Sequence, residues 1–373
     1  MDSRHLPGYP ERTVQGSSFL PEAIGRSFMK QGTTMADGRA MASTLLTNGS
    51  APRNASRFYD VEADWTLLRG CNFRCTYCFS PPEVLATKIG AHARPEKWQE
   101  AFDATGLTWL LHITGGEPTA YPEFGRLCQL LTQRHYLSIN TNLSLDTILS
   151  FIGAVDPGRI RFIHAAFHPN ERERKNGIAA FVRRAVMLRD AGFTMLITMV
   201  ATPEVLANFD EMAGPIRDAG LAVTPKILRE NFQGKRYPDA YSEVDRARFR
   251  KALAGGQTAY RNVLDGMGEA PTINFFSDED YLDGVPSFKG RTCDAGHKFV
   301  AITPEGDVSL CGGPQLGNML DGSLRLRDKS SVCNTTYCVY FCAKYAQPVV
   351  EKPKGALLGW GRRLLSRTNT LSR

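Results

Sequence analysis

Short apolar runs and helical rhythms alternate along residues 64–256. Strand candidates are 64–69, 108–113, 136–141, 159–166, 193–200 and 222–228. Between them, Ile178, Phe181, Val182, Ala185 and Val186 repeat at the i, i+3, i+4, i+7, i+8 spacing of a helix with one buried stripe. Val205, Phe209, Met212 and Ile216 follow the same rhythm. The segments RDAGFTMLITMV at 189 and RDAGLAVTPKIL at 217 echo each other. Each places a glycine, Gly192 or Gly220, where a helix would end in the left-handed region before an apolar strand. Alternation of this kind predicts an α/β fold with a parallel sheet and crossover helices. Six units predict a partial (β/α)6 TIM-like barrel over residues 58–257, with its site at the C-terminal ends of the strands.

Composition narrows the function classes. The chain has 373 residues and nine cysteines, an odd number and too few for a disulfide-stapled scaffold. The N-terminus has no apolar signal segment, and no run approaches the ~18 apolar residues of a membrane span. A cytoplasmic, reducing environment is expected, where clustered cysteines serve metal or redox chemistry.

The stretch GCNFRCTYCFS places Cys71, Cys75 and Cys78 in a C-x3-C-x2-C pattern. Structural zinc takes four protein ligands, and the local count stops at three. An iron–sulfur cube held by three thiolates leaves one iron open to a substrate or cosubstrate; zinc is the alternative. Downstream, an apolar strand from Trp109 to Ile113 runs into Gly115, Gly116, Glu117 and Pro118.

With these two motifs in this order, and Tyr77 before the last cysteine, the chain resembles the radical S-adenosylmethionine (SAM) superfamily. The resemblance implies a [4Fe–4S] cluster on Cys71, Cys75 and Cys78. The open iron would be chelated by the methionine end of SAM, and reductive cleavage would give a 5′-deoxyadenosyl radical that abstracts a hydrogen atom. The hard chemistry belongs to the cofactor, and the protein supplies binding and orientation. It further implies that Gly115 and Gly116 let the backbone approach the ligand, and that Glu117 or neighbouring carbonyls meet the methionine ammonium. An electron donor such as flavodoxin or ferredoxin is an implied partner. Asn140, Thr141 and Asn142 match the third-strand end of related enzymes near the SAM pocket, although Leu143 stands where those have glycine. His168, Arg172 and Arg174 follow the fourth strand. An arginine there would pair with the SAM carboxylate, against the alternative of solvated loop charges. Cys128 falls on a helix face with Phe124, Leu127 and Leu131 and reads as core.

After a connector at 258–290, residues 291–345 hold Cys293, Cys311, Cys333, Cys338 and Cys342. Two apolar runs flank Pro304, Glu305, Gly306 and Asp307, which predicts a β-hairpin between Cys293 and Cys311. This region resembles the SPASM/Twitch extension in Cys293-x-Ala295-Gly296, Pro304-x-Gly306 and Gly317-Asn318. The resemblance implies one auxiliary [4Fe–4S] cluster on Cys293, Cys311 and two or more of Cys333, Cys338 and Cys342. Zinc would satisfy the same thiolates.

Charge is concentrated at the C-terminus. Residues 349–373 carry six basic residues and one acidic, so they supply most of the formal net charge of +7. Leu357, Leu358, Trp360, Leu364 and Leu365 share one helical arc opposite Arg362 and Arg363. This basic amphipathic tail, 346–373, predicts weak contact with an anionic membrane surface, against a disordered tail as the alternative. Such confinement argues against nucleic-acid binding. Residues 1–57 read as a partly disordered extension without a winged-helix-like leader-binding pattern. That favours a small-molecule or saccharide substrate, oxidised or epimerised, over a peptide. A peptide-modifying (RiPP) maturase is the alternative within the superfamily, and a non-catalytic zinc-thiolate protein the alternative outside it.

Overall fold

A computed structural model describes residues 59–88, 93–265, 278–283, 288–311 and 313–334. The expectations for the 1–57 extension, for Cys338 and Cys342, and for the 346–373 tail lie outside the described residues.

Six strands run parallel in sequence order: β1 (Val61–Leu68), β2 (Trp109–Gly115), β3 (Tyr136–Thr141), β4 (Ile160–Ala166), β5 (Met195–Val200) and β6 (Val223–Lys226). The helices between them are α1 (Pro82–Leu85), α2 (Pro95–Ala104), α3 (Phe124–Leu131), α4 (Pro169–Arg174), α5 (Ile178–Asp190), α6 (Pro203–Ala207) and α7 (Phe209–Asp218). This is the expected partial TIM-like α/β arrangement. β1 starts three residues earlier than the apolar run suggests, because Glu62 is buried by hydrogen bonds rather than by hydrophobicity. Gly192 and Gly220 have φ of 90° and 72°, as a left-handed helix end requires.

One predicted helix is two. The Val205–Ile216 rhythm is broken at Asn208, whose φ/ψ of −118°/20° ends α6 and starts α7. Thr202 caps α6, its Oγ1 accepting from the Val205 N–H at 3.2 Å, with Pro203 in the first turn. The apolar stripe continues across the break, so periodicity alone reads as one element.

The main core lies between sheet and helices. Ala63, Trp65 and Leu67 on β1 alternate with Glu62, Asp64 and Thr66, and only the first set joins this core. Trp65 packs edge-on against Trp98 of α2 at 4.7 Å and Phe102 at 5.2 Å. The other face of the sheet carries the polar residues.

The C-terminal elements are the hairpin β7 (Glu230–Phe232) and β8 (Lys235–Tyr237), α8 (Glu243–Asp265), α9 (Asp278–Asp283), β9 (Thr292–Cys293), β10 (Phe299–Ile302), β11 (Asp307–Ser309), β12 (Gln315–Asn318) and β13 (Ser331–Val332). The barrel–connector boundary expected at 257/258 falls inside α8. The predicted hairpin is β10–β11, with Gly306 at φ 89° in its turn. It does not stand apart from the barrel: β10 pairs in parallel with β1, from Glu62↔Phe299 to Trp65↔Ile302, giving one nine-stranded sheet in the order β12-β11-β10-β1-β2-β3-β4-β5-β6. Arg69, just past β1, forms an ion pair with Glu305 in the β10–β11 turn. No helix among the described residues is long and apolar enough to cross a membrane.

Candidate cofactor site

The loop bearing Cys71, Cys75 and Cys78 leaves the C-terminal end of β1, and the end of β2 lies against its start. Gly116 N–H donates to Leu68 O at 2.9 Å and Glu117 N–H to Gly70 O at 3.0 Å. A Cβ on Gly115 would meet Leu68 O at 2.1 Å, and one on Gly116 would meet Gly70 O at 2.1 Å. Gly115 also has φ 131°. These glycines therefore permit contact between two backbones. The space left by the missing side chains is taken by the end of β1 and the start of the cysteine loop.

Glu117 is fully buried. Its Oε1 accepts from Thr119 N–H at 3.1 Å and from the Thr119 and Thr141 hydroxyls at 2.5 and 2.6 Å; Oε2 accepts from Asn142 N–H at 2.7 Å. Burial pushes its carboxyl up, and these bonds pull it back. The side chain is committed inside the protein, so of the two options read from sequence only the neighbouring carbonyls remain for a ligand ammonium. Asn142 continues outward from this clamp. Its Nδ2 donates to Asn72 Oδ1 at 2.9 Å and lies 3.9 Å from Cys71 Sγ. Asn140 points elsewhere: it is exposed on the polar face of β3, 3.3 Å from Thr114 Oγ1.

All three loop cysteines are partly buried. Burial raises the Cys71 thiol, and raises Cys75 to about 12, with the neighbouring cysteines adding to both shifts. Such thiols are neutral until a metal displaces their protons. Among the described residues no three His, Cys, Asp or Glu side chains converge on a single ion. Three thiols on one loop fit a cube, which takes three protein thiolates and leaves one iron open, whereas a closed zinc site needs a fourth ligand.

Helix α4 grips the loop from the other side. His168 Nδ1 hydrogen-bonds Tyr77 OH at 2.7 Å. Burial and the Arg172 charge lower His168 to about 4, so it is neutral near pH 7. Phe73 is buried under Arg172 and Lys175, whose charges sit 5.0 and 4.7 Å from its ring centroid. Lys175 also bonds Asn72 O. Tyr77, His168 and Arg172 thus act on the loop itself. Arg174 pairs with Glu171 at 2.7 Å and stays largely exposed. Cys128 is fully buried on α3 in the main core.

The polar face of the sheet holds residues that the sequence patterns did not single out. His112 bonds Glu62 Oε2 at 3.2 Å and Ser138 Oγ at 2.6 Å, and His164 bonds Thr198 at 2.7 Å. Asp64 lies beside His112 in register, its Oδ1 buried without a hydrogen-bond partner. Burial raises its carboxyl to about 7. Beyond β6, Asp278 of α9 is nearly fully buried; it accepts from Ile227 N–H at 2.9 Å and pairs with Lys226 and Arg229, each at 3.2 Å. The alternation of polar residues within apolar strands was the available signal.

In the C-terminal region Cys293 and Cys311 flank the hairpin. With Cys333 they pack into one small cluster with Phe288, Phe299 and Leu310.

Known proteins resemble this chain by sequence and by fold. The Radical SAM superfamily profile matches residues 65–214. Mycofactocin maturase MftC of Mycobacterium ulcerans (strain Agy99) is 26% identical over 264 residues, 66% of this chain and 67% of that protein. The protein of the same name from Mycobacterium tuberculosis (strain ATCC 25618 / H37Rv) is also 26% identical over 264 residues, 66% of this chain and 63% of its own length. Among solved structures, anSMEcpe with bound AdoMet aligns at TM-score 0.48 and 19% identity, covering 70% of this chain and 78% of that one. Streptococcus suis SuiB bound to precursor peptide SuiA aligns at TM-score 0.45 and 16% identity, covering 72% and 65%. The cysteine loop and the glycine-tipped second strand both fall within the matched residues: residues 65–214 form a radical SAM domain, of the superfamily that works with a [4Fe–4S] cluster and S-adenosylmethionine.

Proposed function

We propose that this protein is a radical SAM enzyme acting on a precursor peptide. Cys71, Cys75 and Cys78 would hold the cluster. When bound, cluster and SAM supply a one-electron reductive cleavage that leads to hydrogen-atom abstraction from the substrate. The chain's own work is placement. Gly115 and Gly116 seat the cysteine loop against β2, Glu117 pins the end of β3 to it, and Asn142 braces Cys71. His168, at the start of α4, holds the loop through Tyr77. The polar sheet face, with Asn140 at its rim, would receive the substrate. The observation that carries this reading is the backbone docking of Gly116 and Glu117 onto Leu68 and Gly70, which presents the three thiols at the C-terminal ends of the strands.

The peptide reading replaces the small-molecule or saccharide substrate expected from the sequence. Its support is the name of the curated relatives, maturases, which match 66% of this chain. Grouping of Cys293, Cys311 and Cys333 supports an auxiliary cluster in a SPASM/Twitch-like region, completed by Cys338 or Cys342. An electron donor of the flavodoxin or ferredoxin type would be required.

The test is anaerobic reconstitution with iron and sulfide, followed by 5′-deoxyadenosine assay of the parent and of Cys71→Ala, Cys75→Ala and Cys78→Ala. Each substitution should abolish SAM cleavage, and full activity in any one would refute the ligand assignment. Synthetic peptides encoded beside the gene, run against a saccharide panel, test the substrate class. Mass change in a saccharide but in no peptide would overturn the peptide reading.

A further inference from the structure

Arg172 is a buried cation without an ion-pair partner among the described residues. It is 2% exposed, and its Nε and Nη2 are buried without a hydrogen-bond partner. Its guanidinium lies between two aromatic rings, 5.0 Å from Phe73 of the cysteine loop and 4.6 Å from Phe181 of α5. The acidic groups near enough to act on it are Glu117 and, once ionised, Cys75. Glu117 is already saturated by Thr119, Thr141 and Asn142, and Arg184 opposes them. Stacking on rings does not replace an anion, and a buried unpaired cation destabilises a fold.

A negative charge arrives only when the loop is loaded, because metal-bound cysteines are thiolates. We propose that Arg172 is the built-in counter-charge of the loop cluster, a positioning residue that stabilises the loaded site and sets the cluster's reduction potential. Reduction adds negative charge beside a fixed cation in a poorly solvated setting, so the cation favours the reduced form. The arrangement also explains why Arg172 sits on Phe73. Phe73 lies between Cys71 and Cys75 in the sequence, and its backbone N–H lies 3.4 Å from Cys71 Sγ. A guanidinium seated on this loop residue would act on the cluster through its field. This inference rests on the reading that Cys71, Cys75 and Cys78 hold the cluster.

The experiment compares Arg172→Met, which keeps bulk and removes charge, with Arg172→Lys, which keeps charge. The reconstituted proteins are titrated redox-potentiometrically with EPR detection, and melting temperatures are measured for iron-free and reconstituted chains. SAM affinity is measured by calorimetry. Arg172→Met should shift the midpoint to more negative potential, while Arg172→Lys stays near the parent. Arg172→Met should lower the melting temperature of the reconstituted protein but leave the iron-free chain unchanged or more stable. Should Arg172→Met fail to retain iron, retention by Arg172→Lys sustains the counter-charge, and failure of both variants overturns it. An unchanged midpoint overturns it too. In that case, weakened SAM affinity would make Arg172 a partner of the SAM carboxylate, and equal destabilisation of iron-free and loaded chains would make it a packing residue. The parent protein tests the underlying reading separately: a parent that takes up no iron refutes the ligand assignment, whatever the variants do.

Discussion

Glu117 Oε2 accepts the backbone N–H of Asn142 at 2.7 Å, tying the end of β2 to the end of β3 directly behind the cysteine loop. Replacing Glu117 by Ala would strand that N–H and the Thr119 and Thr141 donors in a buried site. The expected loss is about 3 kcal/mol of stability, read by denaturant unfolding of the iron-free chain. Glu117→Gln, which keeps one acceptor, should lose clearly less. Equal losses would show that the site's shape matters and its hydrogen bonds do not.

Gly116→Ala puts a methyl group 2.1 Å from Gly70 O, a backbone atom that cannot swing aside. The cysteine loop must then move. Iron uptake on reconstitution should fall several-fold, while the far-UV circular dichroism of the barrel is kept. Gly214→Ala, at a helical position with open space around its Cβ, is the matching control and should load normally.

Asp64 gives a pH-dependent prediction. Its folded carboxyl titrates near 7, raised by burial, above the ~3.9 of an unfolded aspartate. Between those values the unfolded chain has released a proton that the folded chain still holds. Stability therefore falls as pH rises from about 4 to 7 and stays low above. Asp64→Asn should remove that slope. Because the side chain is partly open to solvent, we expect a gain of about 2 kcal/mol at pH 8 and little change at pH 4. Urea midpoints across that range decide it; parallel curves for the two proteins would place the carboxyl in an ordinary aqueous setting.

The Arg69–Glu305 pair has the opposite sign. Arg69 holds the Glu305 carboxyl down at about 2, mainly by hydrogen bonding. The stabilisation is present above the ordinary glutamate value near ~4.3 and is lost as pH falls through 2. Both partners are 40% exposed, so solvent screening limits the pair to at most about 1 kcal/mol. Glu305→Gln should soften the hairpin locally, seen as faster amide exchange in β10 and β11 at pH 7 with little change in global melting.

Iron stoichiometry separates the two cysteine groups. The parent should take up roughly eight irons as two cubes, and a Cys71/Cys75/Cys78 triple-Ala variant about half of that. Iron near zero in the variant would leave the C-terminal cysteines to zinc or to no metal. Cys128→Ala should leave iron content unchanged, since that thiol is enclosed in the main core.

Much of the barrel was legible in the sequence. Strands buried on both faces read as apolar runs, and Gly192 and Gly220 marked where helices stop. The cysteine spacing and the Gly115–Gly116 pair are local patterns, and the structure brings them side by side. What escaped was non-local. Nothing near Phe299 indicates that it will pair beside Glu62, and nothing near Asp278 indicates that it will cap the end of β6. A missing Cβ does not reveal which neighbour needs the room, so the packing of Gly115 and Gly116 against Leu68 and Gly70 was not legible. Nor were the donors that surround Glu117, which come from Thr119, Thr141 and Asn142.

The parallel pairing of β1 with β10 bears on how the chain comes to be folded. β1 is the first strand among the described residues, yet its second neighbour lies more than two hundred residues later in the sequence. During synthesis the strand that carries the cysteine loop is a bare edge while the rest of the barrel is assembled, open to pairing with another chain. Closing that edge is the most non-local step in the sheet and, by contact order, among the slowest. Expression at low temperature and slow translation should therefore raise the soluble yield, whereas a chain truncated before Phe299 should aggregate even though every strand of the barrel is present.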